Sequence, residues 1–184
     1  MKKIISVALI FILAISFTAC ENKDTSSDGN SVDVEYYAEL GSMPESKYSL
    51  GQDIDTLKTE LEELYNTVEE AVYNVVEGET TVQIDSGTFQ FYYVKDKEND
   101  GISYIVNFDE AYGFKTGTVS VEIKDALKEF KYVEEDLNDD NSFFVLGATE
   151  GNVIKYEFSK NTVSFVFVND ALYATAIYKT DDWE

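Results

Sequence analysis

From Asp53 onward the apolar positions Ile54, Leu57, Leu61, Leu64, Val68, Val72 and Val75 follow one another at spacings of three and four. That period predicts an amphipathic helix, with Glu60, Glu62, Glu63, Glu69 and Glu70 solvated around the apolar stripe. Asp53 is suited to cap its start and Gly78 to end it, and Asn66-Thr67 is a point where the run can divide in two. A second stripe runs from about Ser120 to Phe130, and Val133 and Leu137 extend it into a further short helix. After each helical stretch come short aromatic-rich runs separated by turn residues. They predict strands at Thr81–Asp85, Thr88–Val94, Ile102–Phe108 and Glu110–Phe114, then at Phe143–Leu146, Asn152–Phe158, Thr162–Val168 and Ala171–Tyr178. Ser86-Gly87, Asp109-Glu110, Glu150-Gly151, Ser159-Lys-Asn161 and Asn169-Asp170 are hairpin turns between them.

The two halves match at a constant offset of 66 residues: Gly51 with Gly117, Leu57 with Ile123, Lys58 with Lys124, Leu61 with Leu127, and Leu64 with Phe130. The expected architecture is therefore α+β. It consists of two tandem repeats, each a helical segment plus a four-stranded antiparallel meander, with the helices on one face of the sheet. Repeat 1 is expected over 47–116 and repeat 2 over 117–184. Each alone buries too little surface to be more than marginal, so the two should share a core.

Ahead of them, Met1-Lys2-Lys3 and the apolar run Ile4–Phe17 form a basic start and a short hydrophobic segment. The run is shorter than a bilayer span needs and suits a signal peptide. It closes on Phe17-Thr18-Ala19-Cys20, which resembles the bacterial lipobox, with Phe17 standing where Leu is usual. The resemblance implies a signal peptide over 1–20 and diacylation of Cys20. An ordinary secretory signal or an uncleaved anchor is the alternative. Cys20 is the only cysteine, so packing and not a disulfide must stabilise the fold. Residues 21–46 are read as a flexible acidic tether. Within it, Val34–Leu40 is too apolar for a plain linker and is a candidate to lie against the domain.

Charge narrows the partners. The chain carries 36 Asp and Glu against 14 Lys, with no Arg and no His. Every acid lies after Cys20, and the part beyond the signal peptide carries 12 Lys, a net charge of −24. Nucleic acid is expected to be repelled, and no polybasic patch is present to hold a membrane, so lipid is the only expected membrane contact. A basic or neutral partner fits; the same charge also serves plain solubility.

The residue inventory argues against an enzyme. Without histidine, a serine lacks its usual base, and zinc lacks its usual ligands. Carboxylate pairs are guaranteed by number alone. Asp96-Lys-Glu98-Asn-Asp100-Gly101 partly matches a calcium loop, but Glu98 and Asn107 stand where better ligands belong. A polar hairpin turn is the simpler reading, and Asp136-Leu-Asn138-Asp139-Asp140-Asn141 is read as a solvated loop, with a weak cation site as its alternative. No metal and no cofactor is expected.

A helical segment followed by a four-stranded antiparallel sheet, written twice in a secreted chain, resembles the β-lactamase-inhibitor-protein-like fold. Envelope lipoproteins of the SmpA/OmlA type share that fold. The matching stretches are Tyr48-Ser-Leu-Gly51 and Gly113-Phe-Lys-Thr-Gly117, each opening a helix, with strand runs after them. The resemblance implies protein binding through an open sheet face. Setting Tyr92 against Tyr156 buries Gln90, Tyr92 and Val94 beneath the helices. Phe89, Phe91 and Tyr93 then fall on the open side, extended by Ile105, Val166 and Val168, unless the other repeat or Val34–Leu40 covers them. The function expected is a non-enzymatic, monomeric, lipid-anchored surface protein that contacts a basic or neutral envelope protein. The alternatives are a structural module of the envelope, or a weak binder of cations or small ligands.

Overall fold

The computed structural model describes residues 32–44, 46–95, 101–138 and 150–180. Three helices, α1 (Val34–Leu40), α2 (Ile54–Thr67) and α3 (Ser120–Ala126), accompany ten strands. Eight of the strands form one antiparallel sheet: β1 (Asn74–Glu77), β2 (Thr81–Asp85), β3 (Phe89–Val94), β4 (Tyr104–Asn107), β7 (Tyr132–Asp136), β8 (Asn152–Glu157), β9 (Asn161–Val168) and β10 (Ala171–Lys179). A small hairpin of β5 (Glu110–Ala111) and β6 (Phe114–Lys115) stands apart. The fold is α+β.

The strand order is β1-β2-β3-β4-β10-β9-β8-β7. Each run of consecutive hairpins makes a four-stranded meander, and the meanders join where β4 pairs with β10, from Tyr104↔Tyr178 to Asn107↔Thr175. The turn between β9 and β10 holds Asn169 and Asp170 at φ 54° and 61°. Both are left-handed, as a two-residue type I′ turn requires, and Asn and Asp tolerate that region best among side-chain-bearing residues.

Asp53 caps α2, accepting from the Thr56 N–H and hydroxyl at 2.7 Å each. These bonds hold its carboxyl below the usual carboxylate range. Just before it, Gly51 N–H donates to the Ile102 carbonyl at 2.8 Å, and Ile102 N–H returns to Gln52 at 2.9 Å. The approach to α3 is built alike: Gly117 N–H donates to Leu172 and Leu172 N–H to Thr118, each at 2.8 Å. Gly51 and Gly117 have φ of 79° and 95°, with nothing within 4 Å of the place a Cβ would occupy. Backbone conformation, not crowding, is what demands glycine there.

Two apolar clusters hold the molecule together. The larger joins Val34, Ala38, Leu57, Leu61, Ile123 and Leu127 to Ile84, Phe91, Ile105, Ile154, Tyr156, Phe165 and Ile177 of the strands. The smaller gathers Tyr92, Tyr104, Val106, Val153, Val166, Ala176 and Tyr178, with Leu137 beside them. Neighbouring residues such as Tyr104 and Ile105 belong to different clusters, as the two-residue period of a strand demands.

Three expectations need correcting. The helical stripe ends at Thr67, and Val75 belongs to β1. The extension through Val133 is strand β7 and not a second short helix, while Glu110–Phe114 is split between β5 and β6 and stays outside the main sheet. Within 21–46, Val34–Leu40 forms α1 and packs against the strands. Val34 and Ala38 are buried, the Asn161 side-chain amide donates to the Ala38 carbonyl at 2.6 Å, and the Ser159 hydroxyl donates to Glu39 at 2.7 Å. The expected strand Phe143–Leu146 lies outside the described residues.

Tyr156 is fully buried, and its hydroxyl has no hydrogen-bond partner among the described residues. Burial, followed by the nearby Tyr132 and Glu134, pushes its pKa from 10.0 up to about 12. A group held protonated more tightly in the fold contributes stability that is complete below pH 10 and is lost as pH rises towards about 12. Tyr156→Phe should therefore leave stability at neutral pH unchanged or raise it by about 1 kcal/mol, since an unsatisfied hydroxyl disappears. It should also lessen the alkaline decline. Urea midpoints of both proteins across that pH window check this, and parallel pH profiles would contradict it.

Candidate functional site: the acidic sheet edge beside helix α2

Helix α2 begins under cover and ends without it. Its stripe is buried at Leu57 and Leu61, the latter 3% exposed, yet Leu64 one turn later is 46% exposed. The chain then turns through Val68 and Val72, both about half exposed, and returns as β1, where Val76 is also exposed. The last turn of α2 stands beside this returning segment, for the Tyr65 and Tyr73 rings lie 6.4 Å apart. Val72 packs its branched carbon 3.6 Å from the position a side chain would take at Gly87.

The result is a group of exposed apolar side chains, Leu64, Tyr65, Val68 and Val72, beside one edge of the sheet, while Val76 lies on the face of β1 opposite Tyr73 and Val75. Scattered exposed apolar side chains are ordinary; a contiguous group rimmed by charge marks an interaction surface. Glu62, Glu63, Glu69, Glu70, Glu77 and Glu79 are all exposed around it. The last turn of α2 carries no basic residue to offset the partial negative charge of its carbonyl end, and Lys95, on the Gly78 carbonyl, and Lys47 are cations beside these acids. Along one side, Lys47, Glu60, Glu63, Leu64 and Thr67 line a shallow hollow of about 450 Å³. Lys47 is already engaged with Glu60 at 3.0 Å. A further hollow of about 330 Å³ lies against Asp53, Asp55, Thr56, Thr59 and Glu60.

The residues expected on an open sheet face lie elsewhere. Phe91 and Ile105 are fully buried in the larger cluster, and Phe89 and Tyr93 are half-buried against it. The Phe91 ring meets Tyr48 edge-on at 5.2 Å and lies nearly parallel to Phe89 at 6.0 Å. The face assignment in the first half is thus inverted: Phe89, Phe91 and Tyr93 share the side of Leu57 and Leu61, and Tyr92 takes the other. Val166 is fully buried and Val168 half-buried in the smaller cluster. An open face at these six positions is therefore withdrawn. In the second half Ile154 and Tyr156 do lie with the helix residues.

Cys20 and the loop Asp96–Asp100 lie outside the described residues, as do Asp139, Asp140 and Asn141. Among the described residues no three Asp, Glu, His or Cys side chains gather closely enough to hold a metal ion, and no helix is long and apolar enough to cross a membrane. No known family model, curated protein or solved structure matches the chain.

The patch implies a steep contrast within one helix. Leu61→Ala should cost about 2–5 kcal/mol by opening a core cavity. Leu64→Ser, one turn away on the same stripe, should change stability by less than about 0.5 kcal/mol. Urea denaturation of the two variants tests this, and comparable losses would show that Leu64 is covered.

Proposed function

We propose that the protein is a lipid-anchored, non-enzymatic surface module that binds another protein at the acid-rimmed end of α2. The observation that carries this reading is the passage of one apolar stripe from the core at Leu61 into solvent at Leu64. Folding does not require that exposure. A complementary basic surface would bury the apolar side chains while neutralising the acids around them.

The body that presents this patch is read as a doubled module. Leu57 with Ile123 and Leu61 with Leu127 keep the 66-residue offset, and all four are buried. The bonds of Gly51 and Gln52 to Ile102 have counterparts in those of Gly117 and Thr118 to Leu172. The strand order runs inward from each edge in the same sequence of hairpins. Buried residues of all three helices in a single cluster support helices on one face.

Cys20 supplies the anchor. The reading expects the mature chain to begin at an acylated Cys20 and to enter the detergent phase, whereas Cys20→Ser should stay in water. Intact-mass and phase-partition measurements test this, and an unacylated wild type would refute it. For the binding function, the chain carrying Cys20→Ser is immobilised and exposed to an envelope extract. It should retain basic proteins that a chain also carrying Leu64→Ser and Tyr65→Ser does not. Equal retention by both would remove the patch as the site.

A further inference from the structure

The patch adjoins a strand edge whose hydrogen-bonding groups can be assigned. Gly78 N–H donates to the Thr81 carbonyl at 2.8 Å, which makes that pair a closely bonded one. Bonded and non-bonded pairs alternate along an antiparallel ladder. In the register Asn74↔Asp85 to Glu77↔Val82, Asn74 and Val76 are therefore the β1 residues that bond β2. The N–H and C=O groups of Val75 and Glu77 point out of the sheet.

The opposite edge has outward groups too but carries more charge. There Leu137 N–H donates to Gly151, so Tyr132, Glu134 and Asp136 present the outward groups. That strand carries three acids in a row, Glu134, Glu135 and Asp136, of which Glu134 and Glu135 are engaged by Lys124 and Lys155. Charge along an edge strand is a common guard against added strands. Edge β1 is uncharged from Asn74 to Val76, and Tyr65 of α2 lies on the helix side beside Tyr73, 6.4 Å ring to ring.

We infer that β1 is a docking edge for an extended cationic segment of a partner protein, which adds to the sheet as a further antiparallel strand. The inference rests on the binding role proposed above and specifies its geometry. Backbone groups of the guest pair with Val75 and Glu77. Apolar side chains on one face meet Tyr65 and Tyr73, and lysine or arginine side chains on the other reach towards the acids before and after β1, Glu69, Glu70 and Glu79. A second copy of this chain is the less favoured guest, because its own edge would bring the same acids against these.

The test uses the chain carrying Cys20→Ser and a fluorescent nine-residue peptide alternating lysine with valine and threonine. An otherwise identical peptide with glutamate for lysine serves as control. The lysine peptide should bind and the glutamate peptide should not. Glu77→Pro deletes an outward N–H without removing a bond to β2, a place where an edge strand tolerates proline. It should weaken binding about tenfold, whereas Glu77→Gln should weaken it by no more than about threefold. In the wild type, the peptide should slow amide exchange at Val75 and Glu77 and leave Asn74 and Val76 as they were, a result that does not depend on the variant folding. Unchanged exchange at Val75 and Glu77 would overturn strand addition. Binding that survives Glu77→Pro but is lost with Leu64→Ser and Tyr65→Ser would also overturn it, while leaving the patch itself in place. Equal binding of the glutamate peptide, or a concentration-dependent dimer that Glu77→Pro dissociates, would overturn the cationic guest.

Discussion

The pairing of β4 with β10 is the contact on which the rest of the molecule depends. Four residues of each strand, Tyr104–Asn107 against Thr175–Tyr178, turn two four-stranded meanders into one eight-stranded sheet. A four-stranded sheet with a short helix lies near the lower limit of independent stability, because too much of its apolar surface stays wet. Joined here, β4 becomes buried along its whole length. Ile105 and Ile177 lie directly opposite each other in the larger cluster, and the Tyr104 and Tyr178 rings meet at 5.6 Å in the smaller one. Even the polar end of β4 is occupied: the Asn107 side chain donates to the Glu110 carbonyl and accepts from the Asp109 N–H.

Burial at the seam leaves the edges as the places where the sheet can meet something else. At β7 the chain spends charge on the edge, with Lys124 and Lys155 drawn to Glu134 and Glu135. At β1 the acids stand around an apolar group instead of along the strand. Exposed surface pairs such as Lys47 with Glu60 add little stability. In the proposed binding role, the acidic surplus would act as a field that steers a basic partner towards this apolar group. The anchor at Cys20, if acylated as proposed, would hold that group outside the membrane.

Much of the fold was legible in the sequence because its signals were local. The three-and-four spacing from Ile54 and the cap at Asp53 located α2, and Asn169-Asp170 marked a tight hairpin. The alternation Ile154, Lys155, Tyr156 located the helix side of β8. Legibility failed where one periodicity imitated another. Val68, Val72 and Val75 keep helical spacing, yet β-branched residues following Thr67 suit extended chain equally well. Reading them as helix hid β1, and reading Val133 as helix hid β7. With β1 uncounted in the first half and the run Phe143–Leu146 counted in the place of β7 in the second, Tyr92 of β3 is matched with Tyr156 of β8. By position in the sheet, β3 corresponds to β9. That one-strand slip reversed the faces of Phe89, Phe91 and Tyr93. In the strand Phe-Gln-Phe-Tyr-Tyr-Val only Gln90, on the supposedly buried side, signals the error, since both sides are otherwise apolar. The patch was hidden for a related reason: Leu64 continues the core stripe in sequence, and only its place at the sheet edge leaves it uncovered.

Native-state hydrogen exchange at the seam tests the central claim most directly. If β4 and β10 bind the halves into one cooperative body, the protected amides of Tyr104–Asn107 and Thr175–Tyr178 should exchange only through global unfolding. The best-protected amides of β3 and β9 should then show the same free energy and denaturant dependence. Seam amides that open at distinctly lower free energy, with the two meanders unfolding at separate denaturant concentrations, would contradict a single joined sheet.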